Sequence, residues 1–197
     1  MCEVKIIKFI KQNAGMVTVL EAKRNGIPRK KLALLARQGV LVREAPGVYS
    51  LPEAAHDELF VLQRRDPRIV FSHETALYLH DMAERVPITH SVTLPSTKRL
   101  SPLMKRECKT YYVRDELFDL GVTEVSSRCG HMVRTYNVER TVCDILRSRN
   151  RIDSQTVAAA LKNFAALPQK DIGKFGEYAK FFGVLSIARK YLEVLLP

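Results

Sequence analysis

The stretch GMVTVLEAKRNGIPRKKLALLARQGVLVREAPGVYSLP, residues 15–52, decides the fold of the first part of the chain. Thr18 and Glu21 have the TxxE spacing of a capping box, which predicts a helix that begins near residue 18. Gly26 then predicts a tight turn, and Pro28 fits the first position of the next helix, where its missing N–H needs no partner. Two helices joined by a short turn are therefore expected here.

The second of these helices is expected to run from about Pro28 to Gly39, with two different faces. Residues advance by about 100° along a helix, so side chains three or four positions apart share a face. The apolar face holds Leu32, Leu35 and Ala36, and the opposite face holds Arg29, Lys30, Ala33 and Arg37. We predict that the first face packs against the protein and that the second meets solvent or phosphate.

The flanking segments complete a winged helix-turn-helix. The segments VLVRE and GVYSL read as two short strands around a loop with Pro46 and Gly47, which predicts the wing. A first helix, roughly residues 3–12, carries an apolar face and an opposite lysine face. Its apolar face holds Ile6, Ile7, Phe9 and Ile10, and its lysine face holds Lys5, Lys8 and Lys11.

The basic residues of this module are placed for DNA. In a helix-turn-helix, the N-terminal part of the second motif helix enters the major groove, and basic residues elsewhere contact phosphates. The predicted DNA-binding residues are Arg29, Lys30, Lys31 and Arg37 on that helix, Arg43 at the wing, and Lys23 and Arg24 before the turn. Of these, Arg29, Lys30 and Arg37 are expected to enter the groove. Small Ala33 would allow close approach to the bases. The alternative is that these charges form only a solvated face.

Charge and composition agree with a nucleic-acid partner. The 197-residue chain carries a net charge of +11, and residues 1–52 hold ten Lys or Arg against three Glu, a net of +7. No apolar run approaches the roughly 18 to 20 residues of a membrane span, and lysines interrupt the N-terminal apolar positions, so a cytoplasmic protein without a membrane partner is expected. The four cysteines form no CxxC pair, so neither a zinc module nor a disulfide framework is expected.

The rest of the chain, residues 53–197, is predicted to be a second domain of the α+β class, with a small, mainly antiparallel sheet and C-terminal helices. Helices are expected at residues 56–63 and 72–82, the latter with Ser72 as its N-cap. Strands are expected at residues 89–94, 109–114, 121–127 and 131–136, and helices from Val138 onward. The loop between the first two strands contains Pro95 and Pro102.

Two groups of residues in this domain could carry chemistry. His73 and His80 lie seven apart on one predicted helix face, but no third ligand has metal spacing, so a packed pair is favoured. Glu107 and Lys109 fit the ExK end of a metal-dependent nuclease site, which is also a short pattern that arises by chance. The surrounding residues equally read as a basic edge strand. We expect no catalytic residue, no metal and no cofactor.

Together these residues resemble the AbiEi family of antitoxins, from the abortive-infection type E toxin–antitoxin systems. The first module carries the likeness through residues 18–22, through GIPRKKLALLARQGVL and through PGVYSLP. In the second domain the similar segments are FSHETALYLHDM, HSVTLP and YNVERTVCDILR. The likeness covers nearly the whole chain, and none of its motifs is catalytic.

The resemblance implies a division of labour. The N-terminal module would bind inverted repeats of double-stranded DNA in the promoter of its own operon and repress it, as part of antiviral defence. The second domain would neutralise a nucleotidyltransferase-like toxin. Arg140, Thr141 and Asp144 form a family-like polar cluster, for which an intrahelical Arg140–Asp144 pair that supports the fold is an equal explanation. A ligand-responsive winged-helix regulator and a DNA nuclease remain as alternatives.

Overall fold

The computed structural model describes residues 3–83 and 85–195, with the side chains of residues 192–195 excepted. Cys2 lies outside the described residues. The chain divides into two compact units, residues 1–67 with 126–133 and residues 68–125 with 134–197. This division lies elsewhere in the chain than the expected boundary between residues 52 and 53. Among the described residues, no helix is long and apolar enough to cross a membrane.

The first unit is a winged helix with one added helix. Its elements are α1 (Glu3–Gln12), β1 (Met16–Thr18), α2 (Val19–Arg24), α3 (Arg29–Arg37), β2 (Val42–Ala45), β3 (Val48–Ser50) and α4 (Glu58–Arg65). The three strands form an antiparallel sheet in the order β1-β3-β2. The three helices, the turn and the hairpin predicted from the sequence are confirmed.

The core of the first unit joins the apolar faces of its helices to the sheet. Fully buried residues include Ile6 and Ile10 of α1 and Leu32 and Leu35 of α3, and they pack in one cluster with Tyr49 of β3. These are the faces predicted from the helical period. Burial of one such side chain contributes about 1.5–3 kcal/mol to folding.

One detail of the turn differs from the expectation. Pro28 is the N-cap of α3 and not its first helical residue, since its ψ of 141° is extended and the helix begins at Arg29. The proline still serves the start of the helix, because its fixed φ of −67° leads the chain into the first turn.

Among the described residues, the second unit contains six α-helices, two short 3-10 helices and a five-stranded sheet, apart from residues 126, 132 and 133 of that sheet, which belong to the first unit. Its strands are β4 (Val70–Phe71), β5 (His90–Pro95), β6 (Cys108–Val113), β7 (Val122–Ser126) and β8 (Met132–Tyr136). Its helices are α5 (His73–Leu79), α6 (Pro102–Glu107), α7 (Val138–Arg147), α8 (Ser154–Ala166), α9 (Ile172–Phe181) and α10 (Leu185–Leu195). Both units together give the α+β class that the sequence predicted.

The direction of the strands in this sheet departs from the mainly antiparallel expectation. The strand order is β6-β5-β4-β8-β7. β4 runs antiparallel to β5, but β5 runs parallel to β6 and β4 parallel to β8. The physical reason at β5 and β6 is α6, which lies in the connection where a loop was expected. A hairpin can join only antiparallel strands, whereas a helical crossover lets neighbouring strands run parallel.

The core of the second unit is built around α7. Residues 139–146 of this helix are all buried, so α7 is covered on every side. Its buried residues pack in one cluster with Leu161 and Phe164 of α8 and with Phe175 of α9. α7 is therefore the central element of the unit, although the sequence gives it one polar side.

Candidate functional site

The predicted groove-facing residues lie on the outer face of α3. Arg29, Lys30 and Arg37 are exposed, whereas Lys31 and Ala33 are half-buried. Leu32 and Leu35, on the opposite face, are fully buried. The structure therefore fixes α3 by its apolar side and leaves three cations on its accessible side.

The start of α2 is held by the predicted capping box. The Thr18 hydroxyl accepts a hydrogen bond from the backbone N–H of Glu21 at 3.2 Å, and the backbone N–H of Thr18 donates to Glu21 Oε2 at 2.8 Å. These bonds satisfy two N–H groups that a helix start would otherwise leave without partners.

The turn between α2 and α3 is set by Gly26. This residue has a φ of +71°, which favours glycine because it has no Cβ. The following backbone N–H of Ile27 donates to the carbonyl of Ala22 at 2.8 Å. The turn thereby fixes the direction in which α3 leaves α2.

The remaining predicted DNA-binding residues are accessible. Lys23 and Arg24 are exposed in the last turn of α2, and Arg43 is exposed on β2. The wing closes through Gly47, whose φ of +85° suits the tight connection between β2 and β3 and whose carbonyl accepts a hydrogen bond from Val19 at 2.9 Å. The side chains of Lys23, Arg24 and Arg43 are therefore accessible from solvent.

The electrostatics of this surface are one-sided. From residue 22 to residue 43 the sequence has seven Lys or Arg and no Asp or Glu. The two acids that flank the stretch are engaged with neighbours. Glu21 Oε1 lies 3.2 Å from Arg64 Nη2, and Glu44 accepts from the Ser50 hydroxyl at 2.6 Å and lies 3.0 Å from His56 Nδ1.

Asp57, Ser127 and His131 form a buried polar cluster at the start of α4 that the sequence does not predict. Asp57 caps α4 by accepting from the N–H of Phe60 at 3.1 Å, and it also accepts from Ser127 at 2.5 Å and from His131 Nδ1 at 2.7 Å. Burial raises the pKa of Asp57, but these hydrogen bonds outweigh burial and hold it below its usual value. The cluster anchors residues 126–133 within the first unit.

The sequence contains only a weak signal for that cluster. Asp57 stands two residues before the apolar run that begins at Leu59, where an N-cap is expected. Its partners Ser127 and His131 are 70 and 74 residues away in the chain, so no local pattern connects them.

The proposed polar cluster of the second unit lies in its core. Arg140 and Asp144 are fully buried, with Arg140 Nε 2.9 Å from Asp144 Oδ2. Arg140 Nη1 also donates to the carbonyls of Leu117 and Leu120 at 2.9 and 2.8 Å. The Thr141 hydroxyl donates to the carbonyl of Tyr136 at 3.3 Å. These contacts match the alternative in which an intrahelical Arg140–Asp144 pair supports the fold. The side chains of Arg140, Thr141 and Asp144 are fully buried and present no accessible surface.

The two histidines of α5 have separate protein partners. His73 Nε2 lies 2.9 Å from the Ser148 hydroxyl and its ring stacks on Tyr111, while His80 Nε2 lies 2.7 Å from the carbonyl of Tyr136. Burial and several nearby cations keep the pKa of His73 well below its usual value. Among the described residues, no group of three or more His, Cys, Asp or Glu side chains is placed to hold a metal.

The structure separates the two residues of the ExK pattern. Glu107 ends α6, whereas Lys109 lies in edge strand β6, with its Nζ 2.7 Å from Glu74 Oε1. Burial lowers the pKa of Lys109, but the Glu74 carboxylate outweighs burial and raises it. The edge-strand interpretation therefore describes Lys109, and residues 102–107 are helical.

The second unit also contains an open cleft of about 860 Å³. Both polar and apolar side chains line it. The polar ones include Glu74, Arg85, Lys109, Thr156, Lys162 and Asn163, and the apolar ones include Leu77 and Ile88. The volume falls in the range of about 300–1,000 Å³ that is typical of small-molecule sites.

Comparison with known proteins bears on the first unit. No curated protein matches the chain. Among solved structures, the RV2827C protein from Mycobacterium tuberculosis is 14% identical, over 93% of this chain and 80% of that chain, with a TM-score of 0.47. A family model described as "Transcriptional regulator, AbiEi antitoxin" matches residues 4–52. The resemblance to the AbiEi antitoxin regulators is thereby confirmed for residues 4–52 of this chain.

Proposed function

We propose that this chain is an antitoxin that binds inverted repeats in the promoter of its own operon and represses transcription. The observation that carries the proposal is the outer face of α3, where Arg29, Lys30 and Arg37 are all exposed. The family match over residues 4–52 supports the same function. In this proposal α3 lies in the major groove with its N-terminal end foremost, as the second helix of a helix-turn-helix does.

Each basic residue has a part in this binding. Arg29 and Lys30 stand in the first turn of α3 and reach base edges, and Arg37 enters the groove from the same face, while Lys31 contacts the sugar-phosphate backbone beside them. Lys23 and Arg24 contact phosphates from α2, and Arg43 does so from the wing. Because Glu21 and Glu44 are paired with neighbours, little negative charge opposes the approach of DNA.

The experiment is a measurement of promoter binding by the full chain at several salt concentrations. With about four to six phosphate contacts, the logarithm of affinity should fall against the logarithm of salt concentration with a slope of roughly −4 to −5. Arg29→Ala with Lys30→Ala should remove sequence preference, at roughly 1–3 kcal/mol for each lost base contact.

A matched control removes the same charge elsewhere. Lys5 and Lys8 are exposed lysines of α1, outside the proposed interface, so Lys5→Ala with Lys8→Ala should keep the sequence preference. Affinity that does not depend on salt, or a footprint unchanged by the α3 substitutions, would contradict the proposed interface.

We further propose that the second unit neutralises a nucleotidyltransferase-like toxin encoded beside this chain. The description of the matched family as an antitoxin supports this activity for the chain, although the match itself lies in residues 4–52. The second unit has its own hydrophobic core around α7, so it can carry an activity apart from the DNA-binding face of α3. The two activities should therefore separate. The variant Arg29→Ala with Lys30→Ala should lose repression and still protect cells that express the neighbouring toxin. A full chain that represses normally yet gives no protection would leave an ordinary repressor.

The cleft of the second unit favours one other function, that of a ligand-responsive regulator. This function requires a small molecule whose binding changes operator affinity, with a coupling of typically about 1–3 kcal/mol. A screen of metabolites by thermal shift, followed by promoter binding with each hit, tests it. A ligand that raises the melting temperature and changes operator affinity would favour the regulator.

A further inference from the structure

The outer face of α3 carries an exposed leucine among its cations. Leu34 is 45% exposed, whereas Leu32 and Leu35 of the same helix are fully buried. Leu34 follows Lys30 by four residues and precedes Arg37 by three, and both spacings place side chains on the same strip of a helix.

The surroundings of Leu34 select its partner. The stretch from residue 22 to residue 43 contains seven cations and no acidic residue. A second copy of this chain that docked the same face would bring these cations against each other, at an electrostatic cost. An anionic partner fits, and that partner must also offer an apolar group to the leucine. Duplex DNA meets both conditions.

In the major groove, the apolar group that base edges present is the C5 methyl of thymine. We propose that Leu34 contacts a thymine methyl and so specifies one A·T pair in each half of the operator. This inference rests on the proposed function, because it assumes that α3 lies in the major groove. Arg29, Lys30 and Arg37 give the remaining contacts in the groove.

The test uses the full chain and duplexes of its own promoter fragment in which each thymine of the footprint is replaced in turn by uracil. Uracil lacks only the methyl group and pairs as thymine does. The parent should lose about fourfold in affinity at one thymine of each half-site, the factor expected for one methyl group removed from an apolar contact. Replacement of a thymine that does not face α3 should leave the affinity of the parent unchanged.

Leu34→Ala is the matching protein variant. Alanine is the best helix former, and the position is exposed, so the variant should keep its fold. It should bind the thymine and uracil duplexes with equal affinity at the position where the parent discriminates. Leu103→Ala, the same change at a leucine of α6 that is 61% exposed, should discriminate as the parent does.

Three results would overturn the inference while leaving promoter binding in place. The first is a parent that binds all uracil duplexes as tightly as the thymine duplex. The second is a Leu34→Ala variant that discriminates as the parent does. The third is sedimentation that shows a dimeric parent and a monomeric Leu34→Ala variant, which would assign Leu34 to self-association. A parent that fails to bind the promoter fragment at all would instead overturn the proposed function.

Discussion

Arg140 and Asp144 form a fully buried ion pair one turn apart on α7, with Nε and Oδ2 separated by 2.9 Å. The guanidinium carbon lies over two aromatic rings, 4.2 Å from the centroid of Tyr136 and 4.0 Å from that of Phe182. Burial raises the pKa of Asp144, and the guanidinium groups of Arg140 and Arg147 oppose the rise. The pair links α7 to the carbonyls of the segment before β7.

Replacement of Arg140 alone should lower the free energy of unfolding more than replacement of both Arg140 and Asp144. Arg140→Ala leaves the Asp144 carboxyl buried and without its main partner, so we expect the free energy of unfolding to fall by about 3–5 kcal/mol. Arg140→Met with Asp144→Leu replaces the pair with apolar groups and should cost less. Urea unfolding followed by circular dichroism measures both. A double variant as unstable as Arg140→Ala would show that the pair contributes more than the burial of its charges costs.

Gly121 approaches the same arginine and should not tolerate a side chain. Its φ is +78°, and an added Cβ would lie 2.9 Å from the Cβ of Arg140. We expect Gly121→Ala to destabilise the protein by more than about 1 kcal/mol, because strain and overlap add. Gly176 of α9 is the control, since an added Cβ there meets nothing within 4 Å.

Alanine at the control position Gly176 should change the stability in the opposite direction from alanine at Gly121. Gly176→Ala lies inside a helix and should stabilise the protein by roughly 0.5–1 kcal/mol. Thermal melts of the two variants beside the parent give both signs. Equal melting temperatures for Gly121→Ala and the parent would contradict the close approach to Arg140.

The first unit could be predicted because its signals are local. The capping box of Thr18 and Glu21, the turn at Gly26 and the helical period of α3 each lie within a few residues, and each is found in the structure. The same period identified the outer face of α3, from which the proposed DNA-binding residues follow. The conformation is predictable where neighbouring residues decide it.

The second unit was less predictable because its decisive contacts are distant in sequence. β4 has only two residues, and it exists through pairing with β5 and β8 on either side. Arg140 is buried because its carbonyl partners Leu117 and Leu120 arrive from 23 and 20 residues earlier. α6 did have a local signal, since Ser101 caps it and Pro102 begins it. Pro95 and Pro102 also fit a loop, and that interpretation conceals the helix.

The low pKa of buried His73 should make the protein less stable in mild acid than at neutral pH. Burial first, and then the cations Arg147, Lys109, Arg140 and Arg151, lower its pKa well below the ordinary value of 6.5. Between that lowered pKa and pH 6.5, the unfolded chain binds a proton that the folded chain does not. The free energy of unfolding therefore rises with pH and falls by up to about 1.4 kcal/mol per unit as pH drops below 6.5.

His73→Asn tests this dependence. Asparagine suits the positive φ of 49° at this position better than most residues. The variant should be less stable than the parent at pH 8, because it loses the contact with Ser148. Between pH 6 and pH 5 the free energy of unfolding of the variant should fall less steeply than that of the parent, because the variant takes up about one proton fewer when it unfolds. The dependence that remains includes His80, whose pKa is also lowered by burial. Parallel pH profiles for parent and variant would show that His73 is not the group responsible.

Thr18 supports the helix that presents α3, so its loss should affect stability more than DNA contacts. Its hydroxyl accepts from the N–H of Glu21 and donates to Glu21 Oε2 at 2.7 Å. We expect Thr18→Ala to lower the free energy of unfolding by about 0.5–2 kcal/mol, as N-cap replacements do, while Thr18→Ser retains the cap and most of the stability. Urea unfolding of the three proteins measures this. Promoter affinity, measured well below the melting temperature, should change little in either variant, since Arg29 and Lys30 keep their place on α3. A serine variant as unstable as the alanine variant would assign the effect to the threonine methyl, which is buried, and not to the cap.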